Sequence, residues 1–142
     1  MKANVILIFT IIFVVIAAFA MAPRAYYSEK NPVLDELRRR LAIMSPRYAK
    51  IPLRTGKKTY TEDKSFITIC IQNPTNGEYY DINVLMYVIC HELSHVITHA
   101  SGKESHGDEF KKNFSSLLRD AAQKGVYDPR TPIPLRYCGI TD

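Results

Sequence analysis

Five residues in the middle of an apolar helix constrain this chain more than any others. Residues 81–100 read DINVLMYVICHELSHVITHA. Ile82, Leu85, Met86, Val88, Ile89, Leu93, Val96 and Ile97 make the segment apolar on nearly every side, with Asp81 placed to cap it. A helix of that kind is buried. Yet it contains His91-Glu92-Leu93-Ser94-His95. Two imidazoles and a carboxylate are costly inside a protein unless they have partners. Residues four apart lie one above the other on a helix, so His91 and His95 can reach one ion from the same face. The pattern H-E-x-x-H on a helix is the arrangement of zinc peptidases. Zn²⁺ held there lowers the pKa of a water towards about 7, and Glu92, next to the first ligand, can take its proton as general base. Shuffling this composition would yield roughly 0.004 such matches by chance.

A catalytic zinc needs a third protein ligand and an open position. The two remaining histidines are His99 and His106. His99 lies eight residues beyond His91, a rise of about 12 Å on an unbroken helix, too far for one ion to span. It reads instead as a polar residue at the helix end. His106 follows a loop containing Gly102 and precedes a second helix, so the chain can turn back and bring it over the face carrying His91 and His95. The expected metal set is therefore His91, His95 and His106, with Glu92 catalytic. An oxyanion-stabilising donor is also expected; Tyr87, Tyr127 and Tyr137 are candidates among which the sequence does not choose.

The surrounding elements predict a small α+β domain. Asn31 and Pro32 open a helix with Val33, Leu34, Leu37, Leu41 and Met44 at helical spacing, closed by Ser45-Pro46. Residues 47–64 are mixed, with short strands near Ile51 and Tyr60. Ser65–Gln72 alternates, with Ile67, Ile69 and Ile71 on one face and Phe66, Thr68 and Cys70 on the other, as a strand does. A helix from Asp108 to Lys124 carries an inner stripe of Phe110, Phe114, Leu117, Leu118 and Ala121, with Gly125 as its stop. The tail from Val126, with three prolines, reads as extended surface chain.

His91-Glu92-x-x-His95 followed by His106-Gly107-x-x-Phe110 resembles the SprT-like and WLM group of zincin metallopeptidases over residues 60–142. There an HExxH helix is followed by a loop and a third His, often within H-G-x-x-[FW]. Tyr137-Cys138-Gly139 is similar to the tail of short WLM-like proteins of large DNA viruses. The resemblance implies a zincin-like fold and a protein or peptide substrate. It also implies that an edge strand before the helix, a role for Phe66–Ile71, pairs with extended substrate. Members of the group act on proteins crosslinked to DNA.

Ahead of the domain, residues 3–22 form a 20-residue run without a charge, the length of a bilayer-spanning helix. The expected organisation is an N-terminal membrane anchor or signal segment, 1–25, followed by a metallopeptidase domain, 26–142. That predicts a single-pass membrane protein with the lipid bilayer as partner. Small-x-small at Ala18–Ala20 offers the alternative of signal cleavage and secretion. The net charge of +5 permits nucleic acid as a partner, but no nucleic-acid module is visible, and Arg38-Arg39-Arg40 reads as a solvated helix face. The three cysteines, Cys70, Cys90 and Cys138, are expected as buried thiols, with one disulfide allowed in an oxidising compartment. The competing readings are a protease acting on DNA-associated proteins and, in another class, a zinc-stabilised interaction domain without activity. Such a domain needs the histidines and has no need of Glu92.

Overall fold

The computed structural model describes residues 29–99, 105–138 and 140–141. In chain order the elements are α1 (Pro32–Met44), α2 (Pro46–Ala49), β1 (Leu53–Thr55), β2 (Tyr60–Glu62), β3 (Phe66–Ile69), α3 (Ile82–Ile97), α4 (Asp108–Gln123), β4 (Arg136–Tyr137) and β5 (Ile140–Thr141). The described residues thus form a small α+β fold of four helices, a three-stranded sheet and a two-stranded hairpin.

The expectation of a transmembrane helix ahead of this domain is corrected. Among the described residues no helix is long and apolar enough to cross a membrane. The longest, α3 and α4, have 16 residues each, short of the ~20 a bilayer core requires, and both are spent on the domain's own packing. Residues 3–22, on which the anchor rested, lie outside the described residues. Single-pass membrane localisation and a bilayer partner are therefore not carried forward.

Local signals account for most helix boundaries. Asn31 Oδ1 accepts from the Val33 amide at 2.9 Å and Asp81 Oδ1 from the Asn83 amide at 2.7 Å, each satisfying an otherwise orphaned donor. Ser45 ends α1 because Pro46 follows, yet Pro46 then starts the extra turn α2, where the sequence predicts only mixed structure. Gly125, with φ +69°, terminates α4 in the left-handed region.

In the sheet, β3 is central, parallel to β1 (Leu53 opposite Ile67) and antiparallel to β2 (Tyr60 opposite Thr68). Asp63 and Lys64 both have positive φ and, with Ser65, whose amide donates to the Glu62 carbonyl at 3.0 Å, form the three-residue connection that folds β2 back along β3. This corrects the role given to Phe66–Ile71: the strand is not at the edge, and β2 is. It is also shorter than Ser65–Gln72, and all four of its residues are buried rather than alternating. Ile67 and Ile69 face the core, while the Arg54 guanidinium covers the other side, 4.2 Å over the Phe66 ring with Nε donating to Thr68 Oγ1 at 2.8 Å.

Leu34, Leu37 and Leu41 of α1, Ile67 and Ile69 of β3, and Leu85, Met86, Ile89 and Leu93 of α3 form one core. Helix α4 adds Leu117 and Ala121. Burial of each such leucine or isoleucine contributes about 1.5–3 kcal/mol before chain entropy is counted. The three arginines of α1 are held intramolecularly: Arg38 by Asp35 and the Leu53 carbonyl, Arg39 by Glu36, and Arg40 by Glu36 and the Val126 carbonyl.

Candidate functional site

Two helices build the site. Helix α3 presents His91 and His95, both half-buried, one turn apart on the face towards α4. Helix α3 ends at Ile97, where Lys64 Nζ donates to the carbonyls of Thr98 and His99, placing a cation at the negative end of the helix. Asn113 of α4 donates to Thr98 Oγ1 at 3.1 Å and ties this exit to the second helix. The chain returns at His106, directly before α4. His106 Nε2 lies 3.3 Å from His91 Nε2 and 3.1 Å from His95 Nε2.

Phe110, the first buried residue of α4, is what the three imidazoles share. Its ring centroid is 4.9 Å from that of His91, 4.6 Å from His95 and 4.7 Å from His106. Phe114, one turn on, stands edge-on to His91 at 5.4 Å. The aromatic stripe was legible in the sequence as helix packing. Its contact with all three imidazoles was not, although the three-residue offset from Gly107 to Phe110 in the motif was the available signal.

The ligand atoms of the three histidines all lie within 4.8 Å of one another, and the two separations made by His106 suit a tetrahedral ion. Two nitrogens each about 2.0–2.1 Å from such an ion lie roughly 3.3–3.4 Å apart, close to the separations His106 makes. Three converging ring nitrogens with no interposed carboxylate are a borderline-soft donor set, suited to zinc. Burial lowers the His95 pKa, and the neighbouring His106 and Lys64 charges act in the same direction, which favours the neutral, metal-ligating imidazole.

Glu92 sits beside the cluster and is buried. Thr61 of the edge strand β2 donates to Glu92 Oε2 at 2.7 Å, and its hydroxyl is also 3.0 Å from the Glu92 carbonyl. Burial pushes the Glu92 carboxyl above its ordinary value, while the Thr61 hydrogen bond opposes the rise. Sequence reasoning missed Thr61, since nothing in its neighbourhood marks a residue 31 positions before Glu92 as its partner.

His99 stands apart from this group. Its side chain is 93% exposed and pairs through Nδ1 with Glu109 at 2.8 Å. Of the three tyrosines considered as oxyanion donors, Tyr87 and Tyr137 line a cavity of about 130 Å³ together with His91 and Glu92, and Tyr127 does not. The Tyr137 hydroxyl is already engaged by the Cys70 carbonyl and by Thr59 Oγ1. Cys70 and Cys138 form a disulfide, Cα–Cα 6.3 Å, in place of the buried thiols expected. Cys90 remains a free, buried thiol, pushed up to about 12 chiefly by burial and further by the Asp120 charge.

The chain is similar to three viral proteins. It is 38% identical to uncharacterized protein 042R of Invertebrate iridescent virus 3 over 84 residues, which are 59% of this chain and 51% of that protein. To uncharacterized protein 136R of Invertebrate iridescent virus 6 it is 37% identical over 92 residues, 63% of this chain and 50% of the relative. To uncharacterized protein R325 of Acanthamoeba polyphaga mimivirus it is 31% identical over 118 residues, 80% and 57% of the two chains. The chain therefore spans about half the length of the curated relatives it matches. No protein-family model matches it, and no solved structure does.

Proposed function

We propose that this chain is a zinc-dependent peptidase of the SprT-like and WLM kind, with His91, His95 and His106 as metal ligands and Glu92 as general base. The observation that carries the reading is the meeting of three imidazole Nε2 atoms, 3.1 and 3.3 Å from His106 to its two neighbours, beside a buried carboxylate. When bound, zinc would act as a Lewis acid towards a peptide carbonyl and raise the acidity of water.

The chain's own groups supply the remainder. His91 and His95 are fixed by α3, and His106 is brought to them by the return of the chain into α4. Phe110 behind the rings limits their rotation and keeps water from that side. Thr61 holds Glu92 by Oε2 and leaves Oε1 to accept the proton of the attacking water. Burial raises the proton affinity of that carboxylate, as a base working near neutrality requires. Among the described residues strand β2 is the sheet edge that touches Glu92, so an extended peptide laid along it would bring a backbone carbonyl to the site.

The test is elemental analysis of the full chain followed by digestion of a peptide library. One zinc per chain and cleavage abolished by metal removal and restored by zinc is the expected result. A full complement of zinc with no cleavage of any peptide or protein substrate would replace this reading with a zinc-stabilised interaction domain.

A further inference from the structure

The cavity beside His91 and Glu92 has two dissimilar walls. One is the α3 face with Tyr87 and Val88; the other is the C-terminal tail, with Ile133, Pro134 and Leu135. Pro129 lies in a turn closed by the Thr131 amide on the Asp128 carbonyl, and beyond it Pro132 and Pro134 remove donors and keep the chain extended. It is held at its two ends. At the near end Asn83 of α3 binds the Asp128 backbone twice, donating to its carbonyl at 2.9 Å and accepting from its amide at 2.6 Å. At the far end Cys138 is bonded to Cys70, the residue after β3, and its amide donates to the Tyr80 hydroxyl at 2.9 Å. Between these anchors Leu135 is 89% exposed, a large apolar side chain left at the mouth of an apolar cavity.

We infer that residues 133–137 are the specificity-determining wall of the substrate cleft, that the Cys70–Cys138 disulfide holds this wall in place, and that the cavity takes an apolar side chain of the peptide. The inference rests on the proposed peptidase activity. The cavity's volume, about 130 Å³, is near that of a cavity of about 150 Å³ able to hold a benzene ring, so leucine, methionine or phenylalanine fits, and walls built mostly of apolar side chains favour these over a charged one. A substrate side chain in the cavity would meet Val88, Ile133 and Leu135, the last of which is otherwise left in water. No charged group of the tail lines the cavity, whereas His91 and Glu92 do, so the bound side chain belongs to a residue adjoining the bond that is cut. Removing the disulfide deletes the covalent anchor at the far end and leaves the histidine cluster, which is built by α3 and α4, untouched.

The test compares three zinc-loaded full-length proteins: wild type, Cys70→Ser/Cys138→Ser, and Ile133→Ala/Leu135→Ala. Each is given a peptide library randomised next to the cleaved bond, and each is examined by amide hydrogen exchange. Wild type is expected to prefer Leu, Met or Phe over Asp or Lys by about tenfold or more. Both variants are expected to keep their zinc and to lose most of that preference, with KM for the apolar peptides raised. The serine variant should exchange faster over 131–138 with α3 unchanged. The alanine variant covers the case in which the serine variant fails to fold, since Leu135 is exposed. A wild type that cleaves without apolar preference, or variants that retain the preference, would overturn the inference while the peptidase reading stood. Absence of cleavage by zinc-loaded wild type would sink the peptidase reading, and this one with it.

Discussion

At the scale of single residues, the roles of Glu92 and of the histidines separate by experiment. Metal retention depends on imidazole coordination, whereas Glu92 is engaged by Thr61 at one oxygen and is no ligand in the proposed set. Glu92→Gln should keep its zinc, measured by elemental analysis, and lower peptide hydrolysis by about 10²–10⁴. Full activity in that variant would end the proposed mechanism. His106→Ala should lose zinc, while His99→Ala should keep it, because His99 pairs with Glu109 at the protein surface. The reverse result would move the third ligand to His99. The exclusion of His99 was legible from helical rise alone, since a straight helix cannot bring positions eight apart to one ion. The choice of His106 needed only the expectation of a returning loop. The Thr61 contact was not legible, because it depends on β2 folding back along β3.

At the scale of elements, α3 and α4 carry the site and their ends can be tested separately. Asp81→Ala removes the side-chain acceptor for the Asn83 amide and should lower stability by about 1 kcal/mol in urea titration, with zinc stoichiometry unchanged. Phe110→Ala should be far more damaging. The ring is buried and contacts all three imidazoles, so a loss of about 3–5 kcal/mol is expected, together with weaker zinc binding read by competition with a chelator. A Phe110→Ala protein with wild-type zinc affinity would show that the imidazoles need no aromatic backing. Helix positions followed from the sequence because capping residues and apolar spacing act locally. The strands did not follow as well. Three- and four-residue strands carry little periodicity, and the burial of both faces of β3 depends on the distant Arg54 lying over Phe66.

At the scale of the whole molecule, the core and the tail make different demands. Cys90, near the middle of α3, is fully buried. An alkylating reagent should therefore leave it unmodified in the native protein and label it once denaturant opens the fold; rapid labelling of the native state would mean that α3 opens readily at its centre. The tail is tied across 68 residues by Cys70–Cys138 to the end of the sheet. It covers the cavity through few contacts of its own, so the specificity experiment above belongs to this scale and not to any one residue.

From spacing along the chain came the placement of His91, Glu92 and His95 on one buried helix, the separation of His99 from the other histidines, and the two principal helices with their caps. These are consequences of spacing along a single helix and of groups that hydrogen-bond to near neighbours. Tertiary structure alone decided that β2 and not Phe66–Ile71 forms the edge beside Glu92, that Thr61 is the carboxylate's partner, and that Cys70 and Cys138 meet as a disulfide. It also overturned the expected membrane helix for the described chain, whose longest helices are used in the domain's own packing. Each of these depends on which segments lie against one another after the chain has turned. Apolar spacing marks that a surface must be covered and carries no record of what covers it.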